Sequence, residues 1–148
     1  MTAWRRNLGI TQGNGRTSAM KRKMMRAKIH RARVTQADVD YEGSVTIDQD
    51  LMEAVDMIDG EAVALWNVTN GERLETYALT GPPGSGVVCV NGAAAHKMRP
   101  GDTIIITAFA WMEEAAARHY KPKVILMDEE NRIKDAREEV PGPQRACA

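Results

Sequence analysis

AVALWNVTNGERLETYAL, Ala62 to Leu79, is the stretch whose reading decides the fold class. Two strand-favouring runs flank Asn70-Gly71, a dipeptide suited to a two-residue hairpin because both central positions of a type I′ turn need positive φ. The pattern predicts a buried strand over Ala62–Val68 and its antiparallel return over Arg73–Leu79. Upstream, Lys23–Val34 interleaves basic and apolar side chains, which predicts a strand exposing one face. Asp38–Gly43 is turn-like, and Ser44–Ile47 begins another strand. In DQDLMEAVDMIDG, Asp48 to Gly60, either Asp48 or Asp50 can cap a short helix, Glu53 can complete a capping box, and Gly60 can end it. Downstream, GPPGSG is a loop, VVCVNG a short strand, and TIIITAFAWM the most apolar strand of the chain. A short helix at Glu113–Tyr120 and a strand at Lys123–Met127 follow. Short strands, tight turns and two small helices predict a mainly β fold, either barrel or sandwich.

The chain has 148 residues, 43% hydrophobic and 27% charged, with formal net charge zero. That composition suits one globular domain and provides no global field to recruit nucleic acid or a membrane. The charge is uneven, with no acidic residue from Met1 to Ala37 and an acidic balance in DEENRIKDAREE, Asp128 to Glu139. The expected organisation is a basic, disordered extension over 1–20, one domain over 21–128, and a charged, weakly ordered tail over 129–148. A transit peptide, a nucleic-acid arm, and a true start at Met20 are other readings of the first segment. No apolar stretch approaches the roughly 20 residues that cross a bilayer, and no secretory signal core is evident. Two cysteines do not make a disulfide framework: Cys89 reads as a small buried hydrophobe and Cys147 lies in the tail. A reducing cytoplasm is the expected setting.

Several chemistries lack their residues. His30, His96 and His119 are far apart with no recurrent Cys/His spacing, so no metal site is expected. GPPGSG lacks the Lys-Ser/Thr and helix of a phosphate loop, and no G-x-S-x-G elbow supplies a hydrolase nucleophile. Glu113-Glu114 and Glu129-Glu130 read as solvated positions. Gly43-Ser44 in DYEGSVTIDQD remains. A turn is the plain reading. The chemical one directs the Ser44 hydroxyl at the preceding carbonyl, where glycine can adopt angles denied to other residues. An amide-to-ester exchange followed by elimination would leave dehydroalanine, which hydrolyses to a pyruvoyl group.

KIHRARVTQADVDYEGSVTIDQDLMEA, WNVTNGERLETYAL, VNGAAAHKMRPGDTIIITAF and YKPKVILMDEENRI together resemble the aspartate 1-decarboxylases, pyruvoyl-dependent enzymes that make β-alanine for pantothenate. The resemblance runs from about Met24 to Asn131 without an evident gap, with Y-E-G-S, W-N-V-T-N-G, T-Y-A and N-G-A-A-A-H in family order. It implies a six-stranded double-psi β-barrel, a homotetramer with active sites between subunits, and self-cleavage between Gly43 and Ser44. It further implies L-aspartate as substrate, held as a Schiff base on the pyruvoyl group from Ser44, with neither metal nor pyridoxal phosphate. Some relatives need a maturation factor.

Residue by residue, the resemblance makes Tyr77 the proton donor. It gives Thr76 both the oxyanion of self-processing and a substrate contact. Arg73, Lys28 and His30 match binding positions, Trp66 and Asn91 line the pocket, and Gly92, Ala93 and Ala94 bring backbone to the substrate. A guanidinium suits a bidentate carboxylate contact; Lys28 and His30, two apart on a strand, share a face. Without the resemblance these residues read as strand fillers and surface charges. The rival class is a non-catalytic barrel with a basic nucleic-acid arm, which needs aromatic and basic residues interleaved on one face. A third reading keeps the decarboxylase and changes the substrate to glutamate.

Overall fold

The computed structural model describes residues 19–142, so most of the expected 1–20 extension and the end of the tail lie outside the described residues. Among the described residues nine strands follow one another: β1 Lys21–Arg33, β2 Gln36–Asp38, β3 Ser44–Asp48, β4 Ala62–Asn67, β5 Arg73–Gly81, β6 Val88–Asn91, β7 Thr103–Glu113, β8 Lys123–Met127 and β9 Ile133–Arg137. Two short helices, α1 Gln49–Ala54 and α2 Glu114–Ala117, and a 3-10 helix at Gly92–Lys97 complete the fold. The protein is mainly β, and among the described residues no helix is long and apolar enough to cross a membrane.

The strands pair in the order β2-β6-β3-β5-β4-β7-β1-β8-β9. β2 is also the direct continuation of β1 across Val34-Thr35. One edge of this long bent strand pairs with β8 at Ala27–His30 and with β6 at Gln36–Asp38. The Thr35 N–H donates to the Val88 carbonyl at 2.8 Å between those two stretches. The ladder therefore returns on itself. Counted with β1 and β2 as one, six strands ring the core, as expected of the barrel, while β8 and β9 lie outside it.

Inward-facing alternate residues fill that ring. Ala27 and Ile29 of β1, Val45 and Ile47 of β3, Val63 and Leu65 of β4, and Ile104 and Ile106 of β7 are at most 1% exposed. Period-two alternation sends their neighbours, Lys28 and His30 among them, to the outer face.

The structure departs from the sequence reading in several places. Gly71 has φ +81°, but Asn70 is not in the positive-φ region, so the hairpin turn is not type I′. The Asn67 side chain accepts from the Thr69 and Asn70 amides, and Gly71 N–H closes on the Asn67 carbonyl, drawing the connection into a longer loop. α1 is shorter than expected. Asp48 caps it, whereas Glu53 accepts from Gln49 in place of closing a capping box. Asp48 also explains the GPPGSG loop. Its carboxylate, 1% exposed, accepts from the amides of Asp50, Gly84 and Gly86, so one buried anion organises a helix start and a loop. Finally, the expected weak tail contains β9, paired antiparallel to β8 with all five residues exposed. Its charged side chains stay in water while its backbone continues the ladder, which hydrophobic periodicity does not reveal.

Candidate active site

Ser44 is the first residue of β3, opposite Asn91 of β6, and Val45 pairs with Ala78 of β5. This register fixes Ser44 between two strands. Ser44 is 1% exposed, and its Oγ has no hydrogen-bond partner among the described residues. A buried hydroxyl ordinarily finds a partner, because leaving one unsatisfied costs about 1–3 kcal/mol. Its φ is +156°, a value that a residue bearing a Cβ rarely adopts. Burial, backbone strain and an orphaned nucleophilic atom thus coincide on one serine, and no turn requires them.

The preceding carbonyl is engaged. The Tyr77 hydroxyl donates to Gly43 O at 2.5 Å. Strand alternation places Tyr77 with Arg73 and Glu75 on one face of β5, and Leu74, Thr76 and Ala78 on the other. Thr76, to which the sequence reading gave this carbonyl, lines a cavity of about 290 Å³ with Gly43, Asn91, Ala93 and Ala94. Gly92 lies directly against the Gly43 backbone. Its φ of +69° and this close approach both require the absence of a side chain.

Asn91 borders a second, larger cavity of about 730 Å³, shared with Tyr41, Asp38 and Cys89. Cys89 is half-buried, not enclosed as its apolar run suggests, and its thiol donates to Asn91 Oδ1 at 3.1 Å. Burial pushes that thiol up, the nearby Asp38 charge adding to the effect and the Asn91 contact opposing it. Cys89 therefore orients the Asn91 amide between the two cavities.

The remaining expected residues lie elsewhere. Arg73 stacks on Trp66, its guanidinium carbon 4.8 Å from the ring centroid, and Trp66 in turn meets Phe109 at 6.4 Å. That stacking orients the guanidinium while leaving its edge able to donate. Lys28 and His30 share an outer face, as anticipated, but they line a different cavity beside Arg137, Glu138 and Glu139. Ala27 pairs with Ala108, Ala108 with Val63, and Val63 with Thr76, so Lys28 is three strands around the barrel from Thr76. At about 4.8 Å per step that is roughly 14 Å. Within one chain, Lys28 and His30 thus line a cavity separate from the one that Gly43 and Thr76 share.

Lys28 is instead paired with Glu139 at 2.8 Å. His30 Nδ1 is buried without a hydrogen-bond partner among the described residues. Its pKa is held below the ordinary histidine value, mainly by burial and then by the charges of Lys28 and Arg31, with Glu139 opposing. Sequence reasoning did not find the Tyr77–Gly43 bond, the Gly92–Gly43 approach or the Glu139 contact. Positive φ at Gly92 was the one feature that glycine itself signals; the other two follow from ladder register.

The chain matches the family described as Aspartate decarboxylase over residues 20–134. It is 56% identical over 130 residues to a curated protein named Aspartate 1-decarboxylase from Myxococcus xanthus (strain DK1622), spanning 87% of this chain and 100% of that protein. A second, also named Aspartate 1-decarboxylase, from Shouchella clausii (strain KSM-K16), is 55% identical over 114 residues, 77% of this chain and 90% of that one.

Proposed function

From the premise that this chain belongs to the aspartate decarboxylase family, we propose that it cuts its own backbone at Gly43-Ser44 and thereby becomes competent to convert L-aspartate to β-alanine and CO2, a step towards pantothenate. Decarboxylation of aspartate is the activity; the route to the competent enzyme is read from the site. The observation that carries it is the pairing of an unpartnered, buried Ser44 Oγ with a Gly43 carbonyl already polarised by the Tyr77 hydroxyl. Attack of Oγ on the Gly43 carbonyl carbon forms a C–O bond and breaks the C–N bond to Ser44, the hydroxyl proton passing to nitrogen. Loss of the Ser44 α-proton expels Gly43 as a carboxylate and leaves dehydroalanine. Water then enters as ammonia leaves, giving a pyruvoyl ketone at the head of residues 44–148. Strain at Ser44 is relieved by the cut, and a hydrogen bond to the developing oxyanion strengthens as charge accumulates.

When formed, that ketone supplies the electron sink that other decarboxylases take from pyridoxal phosphate. The chain's own groups do the rest. The Tyr77 hydroxyl, freed from Gly43 O once the peptide parts, is at hand to deliver a proton to the carbon that loses CO2. Thr76, Asn91, Ala93 and Ala94 surround the space next to Gly43. Arg73, steadied on Trp66, presents a guanidinium to a substrate carboxylate. Lys28 and His30 lie three strands away in their own chain, which supports a homotetramer in which a neighbouring copy supplies them. The free Cys89 thiol suits a cytoplasmic setting.

Denaturing mass spectrometry of purified protein tests the scission. The expected result is two pieces, 1–43 and 44–148, the larger one blocked to Edman degradation. Ser44→Ala is expected to give one intact chain without CO2 release. An uncut wild-type chain that decarboxylates aspartate would refute the proposal. Comparing CO2 release from aspartate and glutamate decides the substrate.

A further inference from the structure

We infer that Gly92 is the positioning residue that holds the scissile peptide before the cut. This rests on the maturation proposed above.

A Cβ built on Gly92 would lie 2.7 Å from Gly43 Cα, 3.0 Å from Gly43 N and 3.3 Å from the Tyr41 carbonyl oxygen. All three are backbone atoms, so no flexible side chain can yield. Ordinary contact begins near 3.4 Å, and a methyl group at position 92 must push the 41–43 backbone outward by several tenths of an ångström. Gly43 itself has open space where its own Cβ would stand. The tight fit therefore belongs to Gly92. On one side the scissile residue rests against Gly92; on the other its carbonyl is held by the Tyr77 hydroxyl at 2.5 Å. Ser44, the next residue, is fixed through its register with Asn91, the residue preceding Gly92. One corner of the chain, Asn91-Gly92, thus locates both residues of the bond to be broken. Reactions of this kind are sensitive to such placement, a displacement of about 1 Å costing on the order of 100-fold in rate.

Gly60 provides the control. Its φ of +80° resembles that of Gly92, but nothing lies within 4 Å of its absent Cβ. Alanine at either position meets the same unfavourable backbone region, whereas only Gly92→Ala displaces Gly43. The experiment follows cleavage of freshly synthesised full-length chains by denaturing mass spectrometry, with thermal unfolding alongside. The expected result is cleavage slowed on the order of 10-fold or more in Gly92→Ala and unchanged in Gly60→Ala. Gly92→Asn repeats the test with a residue that tolerates positive φ yet still carries a Cβ, so it keeps the displacement and lessens the strain. Hydroxylamine, which cuts esters in preference to amides, locates the affected step. No hydroxylamine-sensitive ester is expected to accumulate in either Gly92 variant, because the attack itself is slowed. Wild-type cleavage rates in folded Gly92→Ala or Gly92→Asn would overturn the inference. So would an equal defect in Gly60→Ala, failure of both Gly92 variants to fold, or accumulation of the ester. An uncut wild-type chain would instead remove the maturation reading beneath it.

Discussion

Tyr77→Phe deletes one oxygen, and the proposed function gives that deletion two consequences of different size. Before the cut, the hydroxyl donates to Gly43 O from a residue that is 41% exposed. Water can replace it there, so its net worth is about 0.5–1.5 kcal/mol, a factor of roughly 2 to 13 in the rate of scission. After the cut, on the function proposed above, the same hydroxyl serves as proton donor, a role that contributes roughly 10²- to 10⁴-fold. The variant is therefore expected to mature slowly but completely and then to turn over at a small fraction of the wild-type rate. Two measurements separate the effects: the half-time of conversion to residues 1–43 and 44–148, and CO2 release per cleaved chain. Cleaved Tyr77→Phe protein with wild-type turnover would remove Tyr77 as donor. A loss of scission beyond about 100-fold would show that the phenol drives the first reaction as well.

Other perturbations have equally definite outcomes. Asp48→Ala strands the buried amide of Gly86, takes the partner from Gly84 N–H and uncaps α1, and is expected to cost on the order of 3 kcal/mol, read as a fall in Tm on the order of 10 °C. Its failure to destabilise would mean that the loop is held otherwise. His30 is held below its ordinary pKa in the fold, so the unfolded chain takes up its proton first; stability is full above about pH 6.5 and is lost as pH falls through the lower folded value. Denaturant midpoints are expected to drop on acidification from pH 7 to 5, with a shallower slope in His30→Gln; an identical slope would refute the assignment. Glu139→Gln breaks a partly exposed ion pair with Lys28 and is expected to change stability by less than about 1 kcal/mol, an effect that disappears in high salt.

The β character of the chain was legible because the inner faces of β3, β4 and β7 follow period two with branched aliphatics at alternate positions. β9 was not, since its five residues are all exposed and its place is set by backbone pairing with β8. The Asn70-Gly71 turn was placed correctly but its type was missed, because the competing partner was the side chain of Asn67, three residues away. At the site, family resemblance singled out YEGS and NGAAAH, two segments that the structure brings side by side through Ser44–Asn91 pairing and the Gly92–Gly43 approach. Residue chemistry alone would have left Tyr77 a surface aromatic and Ser44 part of a turn. The contact that gives both a role, a phenol on a carbonyl 34 residues away in sequence, arises from the parallel register of β3 and β5. Lys28 and His30 were correctly put on one face, but distance around the ring is a property of strand order, which local sequence does not encode.

The long bent strand formed by β1 and β2 belongs wholly to the piece upstream of Gly43, and it forms the seam of the ring. A severed chain would keep that piece clasped between β7 on one edge and β8 and β6 on the other, so the nick leaves the particle's outline untouched. Its memory of how to assemble is another matter. Once melted, two separate polypeptides must meet again in solution, and recovery becomes a matter of concentration and chance encounter. Such a molecule is built once, in one piece, and afterwards endures by coming apart slowly.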